Sequence, residues 1–240
     1  MEVQITGNGA NTTVDTQIDT SFQAMRVNLK PLEFTGLNGI GPIGGHFNMA
    51  AYFSNTAGQP NAALSQLFSM RWADSRMFFV LKRVAVCAAI TTLFTTGPQL
   101  IDFDIIKATS FSTNPSGGQA ITLATVAQKA RSATMNNSLL ALEGDIRIST
   151  GSAITAGTQT LDTQPFGYAQ VVQQPANSGS VTAGSSQPTY VSLYEVRDFG
   201  QHPFVFGANE GFVIRNVTAF GAAGVCKIGI MMEWAEVPNF

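Results

Sequence analysis

The sequence predicts an all-β protein, an antiparallel β-sandwich or jelly roll preceded by an extended N-terminal arm. Three observations predict it. Apolar residues recur at every second position, most clearly where Cys226, Ile228, Ile230, Met232 and Trp234 alternate with Lys227, Gly229, Met231 and Glu233. Period two is the mark of a strand with one buried face. Such stretches follow one another at short spacing, with Gly, Pro, Asn and Ser between them. Almost none shows the 3.6-residue period of a helix, and no internal repeat points to a propeller or β-helix.

Taken in order, residues 1–61 read as an arm with glycine-rich loops that make assembly contacts, and 62–240 as the sandwich. Residues 1–25, rich in Thr, Asn and Gln, are the extended arm, ordered by a neighbouring subunit. Residues 26–35 (RVNLKPLEFT) read as a short edge strand, because Pro31 cannot donate to a ladder. Residues 36–48 (GLNGIGPIGGHFN) read as a contact loop. It lacks the strand–G-x-G-x-x-G–helix setting and the Gly-Lys-Ser/Thr of a phosphate cradle.

From Ala62 to Trp72, Leu64, Phe68, Met70 and Trp72 share one parity against Ser65, Ser69 and Arg71. Met77–Ile90 is the longest apolar run and reads as a central strand. Phe78, Val80, Val84, Val86 and Ile90 lie on one face, Lys82 interrupts it, and Arg83 lies on the other. After a Gly97-Pro98 turn, Gln99–Ala108 points Ile101, Phe103 and Ile105 inward and Asp102 and Asp104 outward. Residues 109–118 form a loop, and 122–131 hold the one helix-like stretch. Strands follow at 142–150, up to Leu161, and at 166–172. Residues 173–188 (QQPANSGSVTAGSSQP) form a protruding loop rather than a linker, since the strand rhythm resumes at Tyr190–Val196. Pro203–Phe206 feeds a closing pair, Gly211–Val217 and Cys226–Trp234, which reads as a hairpin turning at Gly221 and Gly224.

Composition narrows the function classes. Charged residues make up 12% of the chain, about half of the roughly 25% of an average domain. The 17 Phe exclude a disordered chain. A neutral polar surface is weakly protected against association, so much of it is expected to be covered in an assembly. Net charge is −2 and no basic run exists, which argues against nucleic acid as a partner. No run approaches the roughly 20 apolar residues of a membrane span. The start, MEVQITGNGANTTVDT, lacks the basic and apolar regions of a signal peptide, which places synthesis in the cytoplasm.

No constellation carries chemistry. Cys87 and Cys226 read as small buried hydrophobes, and a reducing compartment argues against a bridge. Two cysteines and two histidines far apart have no zinc spacing. His46 stands in the glycine loop, His202 in a turn before proline, and no serine sits in a G-x-S-x-G elbow. Asp102 and Asp104 lie roughly 7 Å apart on one strand face. Calcium wants six to eight oxygens, so they read as a solvated outer face. Glu233 and Glu236 fall on opposite faces and make no acid/base pair. Glu210 reads as a turn residue that accepts backbone N–H groups. Tyr168, Tyr190 and Tyr194 are the aromatics available for a sugar platform. The chain therefore reads as a non-enzyme without catalytic, cofactor or metal residues.

Several segments resemble a pattern found in structural proteins of tailed bacteriophages. They are DIRIST (145–150) with ITAGTQTLDTQP (154–165), His202-Pro203 with ANEGFVIRN (208–216), and the ending Glu233-Trp234-Ala235-Glu236-Val237. The likeness runs from about Ser69 to the C-terminus. It implies a β-sandwich subunit of a virion: a head decoration (cement) protein, a minor capsid protein or a tail-associated protein. No functional residue is carried over. The expected partners are itself, as a homo-oligomer and most simply a trimer, and other virion proteins such as the major capsid protein. The alternative is a carbohydrate-binding module for host attachment, built from the 173–188 loop and the nearby tyrosines.

Overall fold

The computed structural model describes residues 45–55, 62–94, 98–121, 123, 137–141, 145–150, 152–174, 190–197, 202–221 and 223–238. The arm at 1–25, the strand at 26–35, and nearly all of the helix-like stretch and of the 173–188 loop lie outside the described residues.

Fourteen strands form among the described residues. They are β1 (Gly45–Asn55), β2 (Gln66–Trp72), β3 (Met77–Thr92), β4 (Gln99–Phe111), β5 (Ser116–Gly117), β6 (Gln119–Ala120), β7 (Asp145–Ile148), β8 (Ile154–Thr155), β9 (Gln159–Leu161), β10 (Gly167–Gln174), β11 (Val191–Glu195), β12 (Phe204–Phe206), β13 (Glu210–Asn216) and β14 (Val225–Pro238). One sheet runs β1-β14-β3-β11, with β12 also on β3. The other runs β10-β4-β13-β2-β7-β6, with β9 on β4, and β5 pairs with β8 apart from both. Every ladder is antiparallel.

Eight of these strands carry the sandwich: β1, β2, β3, β4, β10, β11, β13 and β14. Counted in that order, the first sheet takes the first, eighth, third and sixth, and the second sheet takes the second, seventh, fourth and fifth. That interleaving is a jelly roll, two Greek keys wrapped into two layers. The expected all-β sandwich is therefore the observed fold.

The connections differ from the local reading. β13 and β14 do not form a hairpin: β13 pairs with β2 and β4, and β14 with β1 and β3. The Gly221–Gly224 segment crosses from one sheet to the other. So does the corner between β2 and β3, where buried Asp74 accepts the N–H groups of Arg76 (2.6 Å) and Met77 (3.0 Å) and the Arg76 guanidinium. Burial opposes the charge on Asp74, but these donors outweigh it and hold its pKa below the ordinary value.

The sandwich also begins before Ala62. Phe47, Met49, Ala51 and Phe53 of β1 are buried between the sheets, and β1 pairs with β14 along its whole length. Residues 45–48, which the sequence assigns to the glycine loop, are therefore strand. Leu64, by contrast, lies in the turn ahead of β2 with φ 61° and is 52% exposed, although Phe68, Met70 and Trp72 do face inward.

The core is a chain of aromatic rings joining the layers. Trp234 stacks on Phe47 (5.6 Å) and Phe79 (5.8 Å), Phe79 meets Trp72 (5.7 Å) and Phe206 (5.9 Å), and Phe206 leads through Phe212 to Phe68. The layers approach closely at one edge, where a Cβ on Gly167 of β10 would stand 2.0 Å from the Leu193 carbonyl oxygen of β11. Glycine is required there by backbone contact.

Candidate functional site

The central strand β3 changes face partway along. Opposite it, Glu233 of β14 pairs with Arg83 and Trp234 with Leu81, so Lys82 is the extra residue of a β-bulge. Buried Phe79 and Leu81 precede the bulge on the inner face, and Val84, Val86 and Ala88 follow it there. Phe78 and Val80 consequently point outward, opposite to the single parity expected. Two adjacent cations in an otherwise apolar strand were the visible signal of the break.

The bulge shapes a depression of about 370 Å³ on the outer face of the first sheet, lined by Val80, Lys82, Arg83, Glu195, Val196, Pro203 and Glu233. Its floor is a cross-strand row. Arg83 pairs in register with Glu195 of β11 on one side and Glu233 of β14 on the other, at 4.0 and 3.6 Å. Arg197 lies 3.4 Å from Glu195. Arg83 Nε has no hydrogen-bond partner. Exposed pairs of this kind stabilise a fold by only about 0–1 kcal/mol.

Asp102 and Asp104 are not solvated. Both are buried on the outer face of the second sheet. Asp104 receives two bonds from Arg215, Nε at 3.0 Å and Nη2 at 2.5 Å. Asp102 accepts the Tyr168 hydroxyl at 3.0 Å and the Thr218 N–H at 2.9 Å. Register explains this: Tyr168, Asp104 and Arg215 stand in one row across β10, β4 and β13. Burial and the neighbouring Asp102 raise the Tyr168 pKa.

Glu233 and Glu236 do part company, as expected. Glu236 is buried and accepts from Ser138 Oγ (2.5 Å), Trp234 Nε1 (3.0 Å) and the Leu139 N–H (3.0 Å). It thereby clips the 3-10 turn Leu139–Ala141 to β14. Burial, opposed by these donors, raises its pKa above the ordinary glutamate value. A raised native pKa adds stability at acidic pH that is lost as pH rises through that value. Glu236→Gln should therefore remove a downward slope of stability with pH. Urea midpoints of wild type and variant, compared from acidic to neutral pH, check this; parallel curves would contradict it.

The remaining candidates lie apart. Glu210 accepts the Gly207 N–H at 2.8 Å, as expected for a turn, and pairs with Lys107 at 3.3 Å. His46 sits on β1 opposite Ala235, and His202 is exposed. Cys226 is buried, which pushes its thiol up to about 12, and both cysteines are free. Cys87 sits on the outer face beneath Tyr190, whose pKa is raised by burial and by Cys87. Among the described residues no three or more His, Cys, Asp and Glu are placed to hold a metal ion.

The three tyrosines share no platform. Tyr168 stands on the second sheet's outer face and Tyr190 by the first sheet. The Tyr194 hydroxyl is taken by the Phe204 N–H, and its ring packs on Phe166 and Phe204. Among the described residues the most exposed aromatic is Tyr52 on β1, 75% exposed, with Lys227 Nζ 5.3 Å from its ring centroid. Sequence reasoning missed it by taking the start of β1 as loop, although the alternation Phe47, Met49, Ala51, Phe53 was there to read.

No protein-family model matches the chain, and no curated protein matches it.

Proposed function

We propose that the protein is a structural subunit of a bacteriophage virion, of the cement, decoration or minor capsid kind. It would be held by many protein–protein contacts, to copies of itself and to the major capsid protein. The observation that carries this reading is the jelly-roll strand order, an architecture used by viral capsid and lectin domains among others. The resemblance of segments 145–165 and 202–216 to phage structural proteins supports it by analogy. The outer face of the first sheet adds to it. There Ala50, Tyr52, Ala89 and Met231 present small or uncharged side chains, Lys227 stands over the Tyr52 ring, and further charges gather at the bulge. Repeated by symmetry, modest contacts on such a face add up to firm attachment.

The test is fractionation. Particles purified on a density gradient should carry the chain in fixed ratio to the major capsid protein. Finding it wholly in the particle-free fraction would overturn the reading. The carbohydrate-binding alternative is weakened by the separation of Tyr168 from Tyr190 and by the internal use of Tyr194; a glycan array probed with the free protein discriminates it.

A further inference from the structure

One row of residues crosses the outer face of the first sheet. Tyr52 of β1 pairs with Gly229 of β14, and Gly229 with Cys87 of β3. Tyr190 comes next in the row, just ahead of Val191, which pairs with Val86. Its ring reaches back over Cys87. A Cβ on Gly229 would stand 3.4 Å from the Tyr190 hydroxyl oxygen and 2.7 Å from the Cys87 sulfur. The missing side chain at 229 is what lets the ring lie there. Cross-strand partners have Cβ atoms about 4.5–5.5 Å apart, so the Tyr190 hydroxyl ends within about 9 Å of the Tyr52 Cβ. Both rings stay open to solvent, Tyr52 at 75% and Tyr190 at 48% exposed. Lys227, two positions before Gly229 on the same face, closes one end with its Nζ beside the Tyr52 ring. Among the described residues its ammonium has no acidic partner. Beyond Gly229, Ala50 and Met231 form the next pair on this face and carry no charge.

We propose that Tyr52, Tyr190 and Lys227 form a shallow binding site for an acidic sugar, a pyranose that carries a carboxylate. The Tyr52 ring offers an apolar surface to the C–H face of the sugar. The Lys227 ammonium lacks a counter-ion and takes the carboxylate in a charge-assisted hydrogen bond. The Tyr190 hydroxyl, held in place over Gly229, meets a sugar hydroxyl as donor or acceptor. An extended peptide fits this face less well. β14 and β3 are interior strands that spend their backbone groups on their own ladders, so a peptide lying across them finds no backbone partners. A single ammonium is also far from the basic stripe that nucleic acid requires. The site shares Tyr190, but neither Tyr168 nor Tyr194, with the sugar platform expected from the sequence. It gives the subunit a ligand and does not rest on the virion reading.

The experiment uses the full chain on an array of sialylated, uronate-containing and neutral glycans, with poly-glutamate as a charge control. Wild type should retain acidic glycans and leave their neutral counterparts unbound. Calorimetric titration with the strongest of them then compares variants. Tyr52→Ala and Lys227→Gln, both at exposed positions, should each weaken binding about tenfold or more. Tyr168→Ala, exposed on the other sheet, should bind as wild type does. Circular dichroism checks that each variant is folded, and the two site variants test the proposal separately should one of them fail to fold. Three results would each overturn it: no preference for acidic over neutral glycans, wild-type affinity in a folded site variant, or poly-glutamate bound as tightly as the best glycan. Particle fractionation decides the virion reading without reference to sugars, so the two ideas fail independently.

Discussion

Replacing Asp104 by alanine is expected to cost about 3–5 kcal/mol of folding stability, the usual penalty for breaking a buried ion pair by removing one partner. The side chains of Asp104 and Arg215 are 5% and 14% exposed, and two charge-assisted bonds join them. Without Asp104, the Arg215 guanidinium remains on the sheet face with its charge uncompensated and most of its surface out of water. Arg215→Ala should be damaging for the mirror-image reason. Joint replacement of the pair by apolar residues of similar volume should be far milder than the sum, since desolvation and attraction nearly cancel when both charges go. Guanidinium denaturation of the two single variants and the double variant measures the coupling. A loss below about 1 kcal/mol for Asp104→Ala would restore the solvated outer face that the sequence suggests.

Trp234→Ala is expected to cost about 3–5 kcal/mol, the range for deleting a large buried aromatic. Trp234 is fully buried on β14 and packs between Phe47 of β1 and Phe79 of β3. Its removal opens a cavity where three strands meet and leaves two rings without their stacking partner. It also deletes one donor to buried Glu236. Trp234→Phe separates the two effects: most of the packing returns and the Nε1–H donor does not, leaving a loss of about 1–3 kcal/mol. Chemical denaturation with the ring-current shifts of Phe47 and Phe79 as a second probe checks both. Equal losses for the alanine and phenylalanine variants would mean that the hydrogen bond, not the ring stack, dominates at this position.

These two sites show how unevenly the structure was legible. Trp234 was readable as core because Cys226 to Trp234 alternates without interruption. Asp104 was readable as outward-facing and was, but not as buried. Its burial comes from Tyr168 and Arg215, which are 64 and 111 positions away in the chain and meet it only through strand register. The ion-pair row at the bulge has the same origin. Arg83, Glu195 and Glu233 come from three strands, and no local spacing links them.

Alternation, turn chemistry and scarcity of charge sufficed to establish an all-β chain, most of its strands, and which residues of Gln66–Trp72, Gln99–Ala108 and Val225–Trp234 face the core. A strand's period is a property of consecutive residues, so one chain can display it. Which strands become neighbours is a property of pairs distant in sequence. The Gly221–Gly224 turn looks alike whether it closes a hairpin or crosses between layers, and only the packing of β13 on β4 and β14 on β3 decides that it crosses. The bulge at Lys82 and the buried carboxylates follow from that decision. They were settled by backbone hydrogen bonding and layer packing, which act across the fold rather than along the chain.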